Sequence, residues 1–358
     1  MHELRAEFPV FERLTYLNAG TNGPVPRRAL EAAEESLRRQ AEQGRGDRRV
    51  FEVALEGLAN LRARAAKLLG CDLEELAFTG STTDGVNAVL TALELGPGDE
   101  VLTSDEEHPG VLAPLAVARE RRGVSVSVAP FEELAEAVGP RTRLVACSHV
   151  SWMTGRVVDA AALAAAGAPV LLDGAQGLGA VPVDVRALAC DFYAASGQKW
   201  LCGPNGIGYL YVRRDRAAEL LPPWAGYPVL EDTANVLDLK LHGDARRFDL
   251  GFPAHHHVAW ATAALDVLEQ PGLDRVQARA AELAGMLAAA IDERGARVAP
   301  RGDTTLVSWE DPDPEANVER LRDQGFVVRY LPGTPYVRAS VGAWNDESDL
   351  ERLVAAAL

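Results

Sequence analysis

One lysine, Lys199, stands among apolar and glycine residues in the stretch SGQKWLCGPNGIGYLYV, residues 196–212. An ammonium is almost never fully buried without a partner, so this setting requires either a nearby anion or a chemistry that consumes the charge. Two upstream stretches offer parts of such a chemistry. In FTGSTTDGVN, residues Gly80, Ser81, Thr82 and Thr83 directly precede a helical pattern. Free backbone N–H groups and the positive end of the helix dipole make that position a phosphate site. In VLLDGAQGLG, Asp173 closes a strand-like run and Gln176 follows. Singly these signals are weak. A hydroxyl cluster is an ordinary N-cap, a strand-end aspartate caps turns, and the glycines of GAQGLG do not have the GxGxxG dinucleotide spacing.

Together the three features fit one cofactor. A phosphate cradle, a strand-end carboxylate and, 199 − 173 = 26 residues later, a lysine flanked by Ser196 and Gly203 meet the needs of pyridoxal phosphate. That group forms a Schiff base with lysine and keeps its ring nitrogen protonated against a carboxylate. A lysine held as an imine need not remain an ammonium, and once released it can shuttle a proton.

The elements that must position these residues alternate along the chain. RALEAAEESLRRQAEQ and FEVALEGLANLRARAAKLLG carry helical periodicity, the second closing at Gly70. LAFTG, EVLTS, VSVSVAP, RLVACSHV and PVLLDGA read as short strands, most of them separated by helical stretches. The alternation predicts an α/β sheet with much parallel pairing, whose strand ends gather the ligand. Near Arg246 the pattern shifts to long Ala/Leu-rich helices, followed by two strand-like pieces, TTLVSWE and FVVRYL, and a last helix from Glu347. The expected division is a large domain over 16–245 and a smaller α+β domain made of 1–15 and 246–358.

Composition narrows the function classes. The 358 residues are 47% hydrophobic and 25% charged, which suits a globular protein with two lobes. A formal net charge of −16 argues against nucleic acid or an anionic membrane as partner, because phosphate binding on that scale needs clustered Lys and Arg. Cys71, Cys147, Cys190 and Cys202 show neither CxxC nor metal-ligand spacing, so no metal site is expected and reduced thiols in a cytoplasm fit best. Neither a signal peptide nor a membrane-length apolar run is visible.

From TYLNAGTNGPVP to VRASVGAWN the sequence resembles the class V, fold-type I family of pyridoxal phosphate enzymes. DEEHPGVLAPLA, SHVSWMTG, DFYAASGQKW and RRFDLG make it most similar to the cysteine and cystine C–S lyases, with kinship to cysteine desulfurases, isopenicillin epimerases and hercynylcysteine sulfoxide lyases. The resemblance implies a mostly parallel mixed sheet flanked by helices, a smaller second domain, and a homodimer with active sites near its interface. It also assigns roles. Lys199 carries the cofactor, His108 stacks on its ring and assists proton transfer, Asp173 partners the ring nitrogen, and Gln176 faces the phenolic oxygen. Thr82, Thr83 and Ser196 hold the phosphate. Arg338 clamps the substrate α-carboxylate, Arg329 holds a second acidic group, and the loop from Asn18 through Gly20 to Gly23 closes over the substrate. His149 is read as structural.

Departures from the family pattern bear on the reaction. Gln198 stands where desulfurases have histidine, Trp152 and Met153 occupy the segment where relatives have asparagine, and Phe252 takes the place of a threonine that reaches the neighbouring subunit's phosphate. The segment before Arg338, VVRYLPGTPYVRAS, is short and has no cysteine for persulfide transfer. The expected activity is therefore α,β-elimination from cystine, cysteine or a related S-substituted cysteine or sulfoxide. An epimerase or aminotransferase of the same family would share the pocket, a desulfurase fits less well, and a noncatalytic binding protein or nucleotide-binding module fits least.

Overall fold

Seven short runs rich in Val, Leu, Ala and aromatic residues form one sheet in the computed structural model, which describes residues 1–249 and 251–358. They are β1 (Leu76–Thr79), β2 (Glu100–Ser104), β3 (Ser125–Ala129), β4 (Thr142–Ser148), β5 (Val170–Asp173), β6 (Phe192–Ser196) and β7 (Gly208–Val212). Their order is β1-β7-β6-β5-β4-β2-β3. Neighbours from β6 to β3 pair in parallel, while β7 is antiparallel to both β6 and β1. Consequently β1, β2, β4, β5 and β6 all point the same way, and their carboxyl ends share one edge. Period-two alternation splits the strand residues between two cores. Val145, Leu172 and Tyr193 pack on one face, Leu144, Leu171 and Phe192 on the other.

Helices cover both faces. Helix α1 (Arg27–Gln43), α2 (Arg48–Leu69) and α5 (His255–Glu269) lie over the first face, α3 (Thr82–Ala92) and α4 (Pro109–Arg122) over the second. Asp47 caps α2 by accepting from the N–H groups of Arg49 and Val50, and Gly70, with φ of 69°, ends it in the left-handed conformation that glycine adopts without strain.

The smaller sheet is antiparallel, ordered β9 (Arg329–Tyr330), β10 (Tyr336–Ser340) and β8 (Leu306–Glu310). The run FVVRYL, expected as one strand, divides because its halves have different partners. Phe326–Val327 pairs in parallel with Thr15–Tyr16, whereas Arg329–Tyr330 pairs with β10. Residues beyond 246 also pack into the large core. Helix α5 belongs to the large core through Val258, Ala261 and Leu265, and α6 (Leu273–Glu293) serves both lobes. Val276 and Ala280 pack in the large core, Leu283, Leu287 and Ile291 in the small one. At the amino terminus Leu4 and Phe8 join the large core, with Phe8 5.0 Å from the Trp344 ring.

A buried carboxylate fixes that terminus. Asp349, at the start of the last helix, α7 (Glu347–Ala357), is fully enclosed and receives Arg5 Nη1 at 2.7 Å, Arg352 Nη2 at 2.7 Å and Asn345 Nδ2 at 3.1 Å. Arg5→Ala leaves this charge without its chief partner. Urea unfolding of that variant is expected to show a loss of roughly 3 kcal/mol, and an unchanged midpoint would remove the ion pair from the list of fold determinants.

Candidate active site

The carboxyl ends of β1, β2, β4, β5 and β6 meet at a cavity of about 220 Å³. Its phosphate end follows from the turn after β1. Ser81 caps α3 by accepting from Asp84 N–H at 3.1 Å. Thr82 N–H donates to Ser196 Oγ at 2.9 Å, and the two hydroxyls lie 2.6 Å apart. Thr82, Thr83 and Ser196 therefore present hydroxyls beside a helix N-terminus, as anion binding requires.

Lys199 and Asp173 face the same cavity. Asp173 is enclosed and its Oδ1 accepts from Ala175 N–H at 2.8 Å. Burial pushes its carboxyl up, and the Lys199 charge opposes that shift. Burial brings Lys199 down to about 8; Asp173 resists this, while Arg338 and Arg329 add to it. The amine can thus lose its proton close to neutral pH, as a base at carbon must.

His108 caps α4. Its Nδ1 accepts from Gly110 N–H at 2.9 Å, which puts the ring proton on Nε2. Burial first, then the cations of Lys199, Arg329 and Arg338, lower it to about 4, so the ring is neutral at pH 7. The Trp152 ring meets it edge-on, with centroids 4.9 Å apart. Gln176 donates from Nε2 to Gly20 O at 2.8 Å and accepts from Trp200 Nε1 at 2.9 Å, leaving one amide N–H uncommitted.

Opposite these groups stand the two arginines, directly paired across the ladder of β9 and β10. Arg338 is fully enclosed. Its Nη1 donates to Trp152 O at 2.8 Å, while Nε and Nη2 have no acceptor. Burial, then the Arg329 charge, lowers it to about 9. A buried guanidinium with one edge vacant is built to receive a carboxylate in two parallel hydrogen bonds. Arg329 is partly exposed, donates to Thr21 Oγ1 at 3.2 Å and lies 5.8 Å from the Trp152 ring centroid.

Not every expected residue reaches the cavity. Asn18 stands behind it, where its Oδ1 accepts from the Thr21 hydroxyl at 2.8 Å, so it positions a lining residue. His149 also lies behind, 3.0 Å from Tyr193 Oη. Cys202 is enclosed off the cavity, with its thiol pushed far up by burial. The motifs did not reveal Thr21, or Glu107 beside His108. The Glu107 carboxylate accepts from Ser104 Oγ (2.5 Å), Ser148 N–H (2.8 Å) and Ser148 Oγ (2.7 Å), tying together the ends of β2 and β4, and burial raises it to about 7. Its place next to a site histidine was the available signal. Among the described residues no cluster of three His, Cys, Asp or Glu could hold a metal ion.

The low value of His108 has a consequence for stability. Between pH 6.5 and about 4 an unfolded histidine takes up a proton that folded His108 refuses, so folding stability falls as pH drops through that window. His149, lowered by burial to about 4, adds to the same slope. His108→Asn retains a capping side chain and is expected to flatten this part of the stability–pH curve, measured by urea unfolding of the cofactor-free protein. A curve as steep as that of the unsubstituted protein would refute the assignment.

Comparison with known proteins agrees with this geometry. The aminotransferase class-V family model matches residues 15–353. Cysteine desulfurases of Salmonella gallinarum and Salmonella typhi are each 34% identical over 300 residues, 77% of this chain and 73% of those proteins. A mutant of C-DES with glycine covalently linked to its pyridoxal phosphate superposes with a TM-score of 0.92 at 28% identity, covering 98% of both chains. The complex of the cystine C–S lyase C-DES with its reaction product, cysteine persulfide, gives 0.91 at 28% identity over 97% of this chain and 98% of that one. The cysteine desulfurase CsdA of Escherichia coli gives 0.87 at 27% identity over 99% and 96%. The mixed sheet with its smaller second domain is thus the fold-type I architecture. Pyridoxal phosphate suits the donors present: hydroxyls at a helix N-terminus for its phosphate, an enclosed carboxylate for its ring nitrogen, and a lysine of lowered proton affinity. The chain belongs to the aminotransferase class-V family, as a pyridoxal phosphate enzyme related to the cysteine desulfurases and the cystine C–S lyase.

Proposed function

We propose that the protein is a C–S lyase acting by α,β-elimination on L-cystine, L-cysteine or a related S-substituted cysteine or sulfoxide. The observation that carries this reading is a cavity with a vacant carboxylate fork, a lysine poised to lose a proton, and no thiol among its lining residues. A persulfide-transferring enzyme needs a nucleophilic cysteine at the substrate, and all four thiols here lie off the cavity.

Bound in this site, pyridoxal phosphate would supply an electron sink for the charge that develops at the substrate Cα. Thr82, Thr83 and Ser196 hold its phosphate, and Asp173 holds the proton on its ring nitrogen. Arg338 fixes the substrate α-carboxylate through Nε and Nη2. Lys199 Nζ takes the α-proton, the electrons of that bond form Cα=Cβ, and the Cβ–S pair departs with sulfur. A disulfide or sulfoxide leaves more readily than an alkyl thiolate because the departing anion is better stabilised. With cystine the leaving group is a persulfide, and hydrolysis of the remaining three-carbon unit gives pyruvate and ammonia. Arg329, beside Trp152 and Thr21, would hold a distal acidic group.

The active unit is proposed to be a homodimer. Phe252 and Tyr227 are 47% and 67% exposed yet pack on each other, and Phe51 meets Phe252 at 6.2 Å, an apolar surface that a second copy would cover. Four free thiols fit a reducing cytoplasm.

Incubation of the purified enzyme with cystine, cysteine, cysteine sulfoxides and ordinary amino acids should release pyruvate from the first three classes, with a persulfide, sulfide and a sulfenic acid as the respective sulfur products. Racemised or transaminated products without sulfur release would overturn the lyase reading in favour of an epimerase or aminotransferase. Lys199→Ala should lose the visible absorbance of the lysine-linked cofactor and nearly all turnover. Arg329→Ala should lower kcat/KM for cystine far more than for S-methylcysteine, by roughly tenfold for each 1.4 kcal/mol of lost contact; equal losses on the two substrates would remove the distal-acid role.

A further inference from the structure

Ser340 ends β10 two residues after Arg338 and so shares its face of the strand. Its hydroxyl is fully enclosed and has no hydrogen-bond partner, a condition it shares with Nε and Nη2 of Arg338. Buried polar groups are nearly always paired. Several unpaired donors in one small volume therefore mark a place that an acceptor is meant to fill.

Gly20 brings these groups to one point. A Cβ at that position would stand 2.7 Å from Ser340 Oγ and 3.1 Å from Arg338 Nη2. Gly20 therefore packs directly against the hydroxyl and beside the guanidinium, with no room for a side chain. The strand and the loop are also fastened to each other, since Ser340 N–H donates to Leu17 O at 2.7 Å and Asn18 bridges to Ser340. The same loop covers the guanidinium and the hydroxyl: Arg338 lines the cavity, and Ser340 lies just behind it against Gly20. A carboxylate has about four lone-pair sites, of which the two vacant N–H edges of Arg338 engage two.

We propose that Ser340 is a substrate-binding residue whose hydroxyl donates to the α-carboxylate held by Arg338. This rests on the reading of the substrate as an α-amino acid, and it adds a second donor to the clamp. The hydroxyl is unsatisfied in the free enzyme and satisfied in the complex, so removing it weakens binding without weakening the fold.

The test uses holoenzyme carrying Ser340→Ala, with S-methylcysteine as substrate and propionate as a carboxylate competitor without an amine. KM and the propionate inhibition constant should each rise roughly tenfold, as expected for a hydrogen bond to a charged group. The kcat should change little and the Tm without ligand should not fall. Ser340→Cys, of similar size and weaker as a donor, should lie between and stands in if the alanine variant does not fold. Unchanged KM and propionate inhibition overturn the proposal, and a lowered Tm with both constants unchanged assigns Ser340 to packing instead. An unsubstituted enzyme indifferent to propionate and to every α-amino acid would sink the amino-acid reading itself, an outcome distinct from equal inhibition of both forms.

Discussion

Three cations, Lys199, Arg329 and Arg338, share one cavity with a single enclosed carboxylate, Asp173. In a chain of net charge −16, this local excess of positive charge is the constraint on which the site depends. Burial and mutual repulsion move Lys199 and Arg338 toward their neutral forms and keep His108 uncharged. Such a site is stabilised by anions. On the proposed reading, a phosphate at the start of α3 and a carboxylate at Arg338 would supply them, and each arrival would return the neighbouring cations toward their charged state.

The sheet makes this concentration of charge possible. Five strands pointing the same way deliver Thr82, His108, Trp152, Asp173 and Lys199 to one edge, each at or just beyond the end of its strand. The backbone around them is held by partners that never touch the cavity. Glu107 joins the ends of β2 and β4, and the Tyr193 hydroxyl meets His149 beneath the loop of Asp173. Gly174, next to Asp173, has no alternative: a Cβ there would come within 2.0 Å of the Tyr193 ring. Chemistry at the strand ends thus rests on close packing one layer below.

Much of this was legible in the sequence because the cofactor residues follow strand ends, where type and local pattern coincide. Thr82, Asp173, Ser196 and Lys199 could be named from short motifs. The cradle between Thr82 and Ser196 could not, since it joins residues 114 positions apart. Asn18 carried a recognisable motif, yet its side chain turns to Thr21 and away from the cavity. Ser340 gave no signal, because an unpaired hydroxyl becomes visible only when its enclosure is known. The packing of the helices between the lobes was not legible for a related reason. Helical periodicity shows that α5 and α6 each bury a face, but not which core receives it, and α6 divides its face between the two.

That divided helix has a mechanical consequence. Lys199 and Asp173 are built on the body anchored to the first half of α6, Arg338 and Arg329 on the body anchored to the second. On the proposed reading, a ligand gripped by its nitrogen on one side and its carboxylate on the other would span the two cores that α6 joins. Molecules carrying both groups on a single carbon would fit that span, whereas those with the groups spaced further apart would not. Discrimination by backbone length would then rest on a spacing set in part by α6, a segment that contributes no side chain to the cavity.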